Sequence, residues 1–411
     1  MTVTSTPVTG VKAAPPALDD AAAVEAARAF AARIAPGAVE RDRTARHPAA
    51  ELDDLAGTGL LAISVPREHG GGGVAASTVG EVFRIVAAAD PSVAQLVLAH
   101  FVLVALIGTA ASEEQKAFFH REVVGGARIG NATAERGTKH VFDRRTAVTP
   151  GPDGGYRLDG RKYYTTGALG ADWIGVAASV EGDQNLPVTA FVPGDAAGLE
   201  FGDDWSAFGQ RATASGSLVL TGVDVPANRV LHLGPVPADP PPLILGAYDQ
   251  LLHLAIDVGI ARAALEEGAA FVRDRSRPWF ESGVDSVADE PHAVLRFGRL
   301  TTLLHALEAL FERAGRAVDA AYAAPELTDG NTAAASLAVA EAKAYSQEVA
   351  VQIAADVIEL AGTSAADAAH GLDRHWRNVR THSLHDPARW KYVHIGNHTL
   401  RGTNPPRYPL L

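Results

Sequence analysis

The chain has 411 residues, 36 Lys plus Arg against 48 Asp plus Glu, a formal net charge of −12 and 47% hydrophobic residues. That length can build two or three subdomains with cores of their own, and the acidic balance, with no local block of clustered Lys and Arg, argues against a nucleic-acid or anionic-membrane surface. There is no cysteine, so disulfides, thiolate zinc sites, iron–sulfur clusters and cysteine nucleophiles are excluded; the composition fits a cytoplasmic protein.

Residues 1–20 are rich in Thr, Val, Pro and Ala and lack a basic stretch followed by an apolar one. They read as a flexible tail, not a signal peptide, and no run is expected to reach the 18 apolar residues that a membrane span needs. Residues 21–135 are Ala-rich and helical in pattern, broken at Pro66–Gly73 and at Asp90-Pro91. Ile85–Ala111 is mostly apolar on both sides of the second break, which predicts a buried helix pair.

Residues 136–235 change character. Gly and Pro punctuate short β-prone runs: Tyr156-Arg-Leu, Lys162-Tyr-Tyr-Thr-Thr166, Trp173-Ile-Gly-Val-Ala, Val188-Thr-Ala-Phe-Val192 and Ser217-Leu-Val-Leu220. This spacing predicts a compact antiparallel β domain. From about Pro241 the pattern is helical again, and residues 240–411 form the third zone. Leu251, Leu254, Val258, Ala261, Leu265 and Ala269 follow a helical stripe, as do Leu300, Leu303, Leu304, Leu307, Leu310 and Phe311. A third helix over Ala340–Leu360 ends at Gly362, a natural C-cap. Helices of this length with one broad apolar face point to a four-helix bundle. The fold class is α+β, in the order helical, β, helical.

Standard catalytic motifs are missing: there is no Walker loop, no HExxH and no G-x-S-x-G. Gly70–Gly73 follows Pro66-Arg-Glu-His and opens no βαβ unit, so it is not a dinucleotide-binding fingerprint. His382 and His385, and His394 and His398, are spaced closely enough to warrant a metal check. No Asp or Glu accompanies the second pair at ligand spacing, and structural histidines are the stronger reading, so no metal site is assigned.

Several stretches resemble the acyl-CoA dehydrogenase superfamily, in order along nearly the whole chain. They are Val65-Pro-Arg-Glu-His-Gly-Gly71, Leu158-Asp-Gly-Arg-Lys-Tyr-Tyr-Thr-Thr166 with Gly170-Ala-Asp172, and Phe208-Gly-Gln-Arg-Ala-Thr213 running on to Val223-Asp-Val-Pro-Ala-Asn228, taken as the strand pair that closes the β domain. Trp376-Arg-Asn-Val-Arg-Thr-His-Ser-Leu-His-Asp-Pro387, with Arg277-Pro-Trp279 and Asp203-Asp-Trp205, is similar to the two-component (class D) flavin-dependent monooxygenases of the dibenzothiophene type. The resemblance implies an N-terminal α-helical domain, a middle antiparallel β domain and a C-terminal four-helix bundle. It also implies reduced FMN delivered by a separate NAD(P)H:flavin reductase, with FAD as the alternative. Oxygen would add to flavin C4a, and the resulting hydroperoxide would oxygenate a small substrate, aromatic or containing sulfur or nitrogen. A homotetramer is expected as well.

The same resemblance implies site residues. His385 is the candidate for holding or moving a proton, because an imidazole titrates in the right range, and it also borders the flavin; His100 and Asn131 are further catalytic candidates. Asn131 and Thr133 would contact the flavin pyrimidine edge, Thr166 would lie near flavin N5, and Trp205 would stack near the ring or serve as β-domain core. Lys162 is carried as a cofactor-binding candidate, with strand scaffolding the stronger alternative. Arg277 would grip the flavin phosphate from a neighbouring subunit, a task that suits the guanidinium fork. The family's arginine before the loop glycine is Ala361 here, and the substrate-side His and Tyr are Gln95 and Ala99, which points away from a fused-ring thiophene. The competing reading is an FAD-dependent acyl-CoA dehydrogenase. There the tail would carry a glutamate base where this chain has Asp386 before Pro387, a shorter reach for a group whose geometry must be right first.

Overall fold

The computed structural model describes residues 15–235, 237 and 239–408; most of the expected tail lies outside them. The N-terminal helices are α1 (Asp20–Ile34), α2 (Ala38–Thr44), α3 (Ala49–Gly57), α4 (Ala76–Ala89), α5 (Pro91–Ala110) and α6 (Glu113–Val124). Asp19 caps α1 by accepting from the Ala22 N–H, and Ala23, Ala27, Phe30 and Ile34 form its buried stripe. The break between α4 and α5 has a local cause. The Asp90 carboxylate accepts from the Ser92 and Val93 N–H groups, and Pro91 starts the next helix. Arg41 reaches Asp90 at 2.8 Å, so the cap is itself charge-paired inside the protein.

Helix α5 corrects the expectation about apolar runs: it is long and apolar enough to cross a membrane by length and composition. Here twelve of its residues are buried, from Pro91 to Ile107, against neighbouring helices and the sheet. A helix apolar all round is what a central core position requires.

The sheet comprises β1 (Ile129–Ala132), β2 (Ala147–Pro150), β3 (Tyr156–Lys162), β4 (Trp173–Val180), β5 (Asp183–Pro193), β6 (Leu199–Phe201), β7 (Leu218–Val225) and β8 (Val230–His232), in the order β6-β7-β3-β2-β4-β5-β8 with β1 also on β4. Two expectations fail here. The sheet is mixed, because β1 and β2 both pair parallel with β4. The β domain also begins earlier than residue 136, since β1 falls inside the segment assigned to the helical domain. Four residues are too few to show a period of two. Phe208–Thr213 is a loop with a short 3-10 turn at Arg211–Thr213, and only the later segment is a strand.

The C-terminal zone consists of α7 (Leu245–Arg275), α8 (Pro291–Tyr322), α9 (Asp329–Ala361), α10 (Asp373–His382) and α11 (Ala388–Arg401). Gly362 ends α9 with φ 77°. Three helices are long, and α10 and α11 together fill the place of a fourth, both packing on α9. One core joins α1, α4 and α5 to α7, α8 and α9. A second lies within the sheet, and a third, around Phe119, Phe191 and Ile107, glues α5 and α6 to the sheet. The three zones thus meet around α5.

Candidate active site

Strand β3 ends at Lys162, and the chain leaves the sheet through Tyr164 at φ 58°. Asn131 on β1 holds this turn: its N–H donates to Thr166 O (3.1 Å), its side-chain amide donates to Tyr164 O (3.2 Å), and its Oδ1 accepts from the Thr133 hydroxyl (2.6 Å). Gly167 follows at φ 76°, where a Cβ would lie 2.2 Å from Leu96 O on α5. Only glycine lets the turn touch that helix.

The 205–215 loop completes the wall. Thr166 Oγ1 and Ser215 Oγ lie 2.8 Å apart, Ser215 donates to Thr213 (2.8 Å), and the Thr213 hydroxyl and Trp205 Nε1 both donate to Gln210 O (2.9 and 3.0 Å). The Gln210 N–H donates to Asn378 Oδ1 on α10 at 2.6 Å, and a Cβ at Gly209 would lie 1.9 Å from Arg377 O. Arg377 ties the same corner together by pairing with Asp42 and Asp373. The structure therefore gathers Asn131, Thr133, Thr166 and Trp205 at one junction of α5, the sheet and α10. Three non-glycine residues with positive φ, Tyr164, Gln210 and Ala214, sit there. Backbone strain of this kind, of order 1–3 kcal/mol each, persists where surrounding contacts over-determine it and clusters at functional sites.

His385 follows α10 by three residues. Its side chain is 38% exposed, Nδ1 is 3.3 Å from Asp386 Oδ1, and its ring stacks on His253 with centroids 3.9 Å apart. Asp386 is buried. Burial would raise its carboxyl, but His385, Lys343 and Lys391 hold it well below the usual carboxylate range. The ionised carboxylate thus accepts a hydrogen bond from Nδ1–H, and Nε2 makes no hydrogen bond among the described residues. Asp386 is locked to Lys391 at 2.8 Å, so it cannot reach out as the base a dehydrogenase needs.

Two candidates are corrected. His100 is fully buried, with Nε2 donating to Leu61 O (2.8 Å) and Nδ1 accepting from the Ile129 N–H (3.1 Å). Burial pushes it down to about 4, so it is a neutral strut between α5 and β1 with no nitrogen left for substrate. Lys162 is likewise buried, pairing with Glu135 at 2.8 Å and donating to Thr133 O at 3.2 Å. It braces the Asn131 segment from beneath and does not face a cofactor. Burial lowers its ammonium to about 8 despite the pairing.

Arg277 is exposed in the segment after α7. His253, under His385, lies 22 residues before the end of that helix, about 33 Å at 1.5 Å per residue. Within one chain Arg277 is far from His385.

Sequence reasoning missed the polar residues inside the bundle. Asp249, His253 and Asp257 recur every four residues on an otherwise buried stretch of α7; Lys343 and Ser346 reach Asp257 from α9, and Gln347 donates to Asp386 O. Three polar residues at helical spacing inside an apolar stripe were the available signal.

The donor set suits a flavin. Buried Gln95 Oε1 and Thr381 Oγ1 have no partner among the described residues; both lie on elements that form the junction, and such orphans are rare unless something else satisfies them. The strained loops and the hydroxyl-rich wall lie where the β domain meets the helical bundle.

The acyl-CoA dehydrogenase N-terminal domain model matches residues 19–127 and the C-terminal domain model residues 251–390. The chain is 34% identical to dibenzothiophene monooxygenase of Rhodococcus qingshengii, over 93% of this chain and 94% of that one. It is 32% identical to a probable FMNH2-dependent monooxygenase, SfnC, of Pseudomonas putida, over 93% and 96%. TdsC from Paenibacillus sp. A11-2, solved with FMN and indole, superposes with a TM-score of 0.87 at 31% identity, over 95% of this chain and 99% of that one. The chain belongs to the acyl-CoA dehydrogenase superfamily, in its branch of flavin-dependent monooxygenases.

Proposed function

We propose that this protein is an FMN-dependent monooxygenase that places one oxygen atom of O2 in a small sulfur- or nitrogen-containing substrate and releases the other as water. The observation that carries this reading is His385. Its Nδ1 is committed to the ionised Asp386, its face to His253, and its side chain stays 38% exposed with Nε2 unbonded among the described residues. Asn131, Thr133 and Thr166 would hold the flavin ring, and Thr381 and Gln95 offer unspent hydrogen-bonding atoms. Bound reduced FMN supplies the electrons that activate O2. The chain's own part is to exclude water with α5 and the 205–215 loop, and to deliver or accept a proton at His385 Nε2.

Reduced FMN would come from a separate NAD(P)H:flavin reductase, since the chain carries no dinucleotide-binding fingerprint. Gln95 and Ala99, four apart on α5, make a smaller and less aromatic wall than the His and Tyr of the dibenzothiophene type, which suits an acceptor other than dibenzothiophene; indole, bound in the TdsC complex, is a fitting first probe. Arg277 would serve the flavin of a second subunit in a homotetramer. The exposed apolar residues beside it, Trp279 (62%) and Phe280 (79%), and the groove between Val294, Leu295 and Leu303 support such contacts.

The test supplies reductase, NADH and FMN with indoles, sulfides and amines, and follows mass gain of one oxygen. His385→Ala should abolish that gain and keep FMN binding. Unchanged turnover would remove His385 from the mechanism, and NADH oxidation by the protein alone at comparable rates would refute the two-component reading.

A further inference from the structure

Behind His385 lies a line of buried ionisable groups that oxygen transfer as described does not use. His253 Nδ1 is 2.9 Å from His382 Nε2, and His382 Nδ1 is 2.6 Å from Asp257 Oδ1. Asp257 Oδ2 accepts from Lys343 (2.7 Å) and Ser346 (2.9 Å). At the other end, Asp249 Oδ1 is 3.7 Å from His253 Nε2, a fraction of an ångström beyond a hydrogen bond. All of these groups are buried, apart from partly buried Asp249, whereas His385, stacked on His253, is open on its outer side.

The hydrogen-bond directions follow from the fixed charges. Burial would raise the Asp257 carboxyl, yet Lys343 and His382 hold it down to about 2. It is therefore ionised and accepts a hydrogen bond from the His382 Nδ1–H. Burial keeps His382 below the ordinary imidazole value, against the pull of Asp257, so a neutral His382 presents a lone pair at Nε2, and His253 must donate to it from Nδ1. His253 Nε2 is then a bare acceptor facing Asp249. Lys343 balances Asp257 and Lys391 balances Asp386. Asp249 has no Lys or Arg partner among the described residues, and burial raises it to about 6. The groups facing this line are Asp249, His253 and Asp257 from α7, Lys343 from α9, His382 from α10, His385 and Asp386 from the segment after it, and Lys391 from α11.

We propose that Asp249, His253 and His382 form a buried proton store behind His385, anchored by Asp257, with one mobile proton shared between the Asp249 carboxyl and the imidazoles. The proton leaves Asp249 and bonds to His253 Nε2, while the Nδ1 proton of His253 passes to His382 Nε2. Asp249 becomes a carboxylate, His382 becomes an imidazolium against Asp257, and the total charge is unchanged. The carboxylate left at Asp249 interacts electrostatically with His385. His253, His382 and Asp249 are positioning residues in this scheme, because they act through His385.

The inference rests on His385 as the proton-handling group, but its test needs no turnover. Neutron diffraction from deuterium-exchanged crystals at about pH 5 and about pH 8, on either side of the Asp249 midpoint, should place deuterium on Nδ1 of both His253 and His382 at both values, and on the Asp249 carboxyl only at the lower one. Deuterium on His253 Nε2 alone at both values, or an ionised Asp249 at the lower one, would overturn it. Infrared titration should show a buried carboxylic-acid band that bleaches near pH 6 and is missing in Asp249→Asn; an unchanged band in that variant also overturns it. If His385→Ala kept turnover, the role of His385 would fall while these proton positions stood. If the protons were placed otherwise, the store would fall while the oxygenase reading stood.

Discussion

The buried Asp257–Lys343 pair allows a perturbation whose size follows from the structure. Both side chains are fully buried, 2.7 Å apart. Lys343 and His382, acting against burial, hold the Asp257 carboxyl at about 2, where its ordinary value is 3.8. At about 1.36 kcal/mol per unit, that difference is worth about 2.5 kcal/mol at neutral pH. The folded value lies below the unfolded one, so this stabilisation is complete above about pH 4 and is lost as the pH falls through about 2. Lys343→Met removes the cation and leaves a buried carboxylate with one imidazole and one hydroxyl. The expected loss at pH 7 is about 3–5 kcal/mol, the range for stripping one partner from a buried pair. Adding Asp257→Asn removes the orphaned charge while its Oδ1 still accepts from His382 Nδ1–H, so the double variant should recover most of the loss. Urea unfolding followed by helical circular dichroism and by the fluorescence of the five tryptophans would measure both. A single variant within about 0.5 kcal/mol of wild type, the scatter of neutral surface changes, or a double variant less stable than the single one, would refute the reasoning.

Other expectations follow from the same geometry. Gly167→Ala forces a Cβ against Leu96 O at φ 76° and should cost more than about 1 kcal/mol by thermal unfolding; a neutral result would mean that the turn does not touch α5. Lys162 sits at about 8 when folded and at 10.5 when unfolded, so the unfolded chain binds its proton more tightly and this group adds stability as pH rises from about 8 to about 10.5. Lys162→Met should lack that rise, and equal slopes for the two proteins would sink the assignment. Arg277→Ala should weaken FMN binding by about 10–100-fold, the worth of a charge-assisted hydrogen bond, measured by flavin fluorescence titration, with thermal unfolding unchanged. Unaltered FMN affinity would take Arg277 out of the site. Static light scattering at micromolar concentration should report a tetramer, and a monomer there would count against subunit sharing.

The sequence by itself determined the order of helical, β and helical zones, because three long apolar stripes and a run of Gly- and Pro-bounded segments carry their period locally. It also located the Asp90-Pro91 break and the Gly362 cap, which are decided by the residues themselves. Its motifs pointed to the Asn131–Thr133 and Thr166 segments, which the fold brings together, and to His385, which the fold seats on His253 and beside Asp386. Tertiary structure decided the rest. That β1 joins the sheet, and that β1 and β2 run parallel to β4, depends on pairing across the chain that four-residue strands cannot encode. That His100 and Lys162 are struts is a matter of burial and of which nitrogens are already spent. The distance of Arg277 from His385 comes from the length of α7. The line from Asp249 to Asp257 became visible as a unit only when α9 and α10 were packed against α7, since residues about 90 and 125 positions apart in the chain supply its partners. Local pattern sets the elements; charge pairing and burial between distant elements set which polar groups remain free to react.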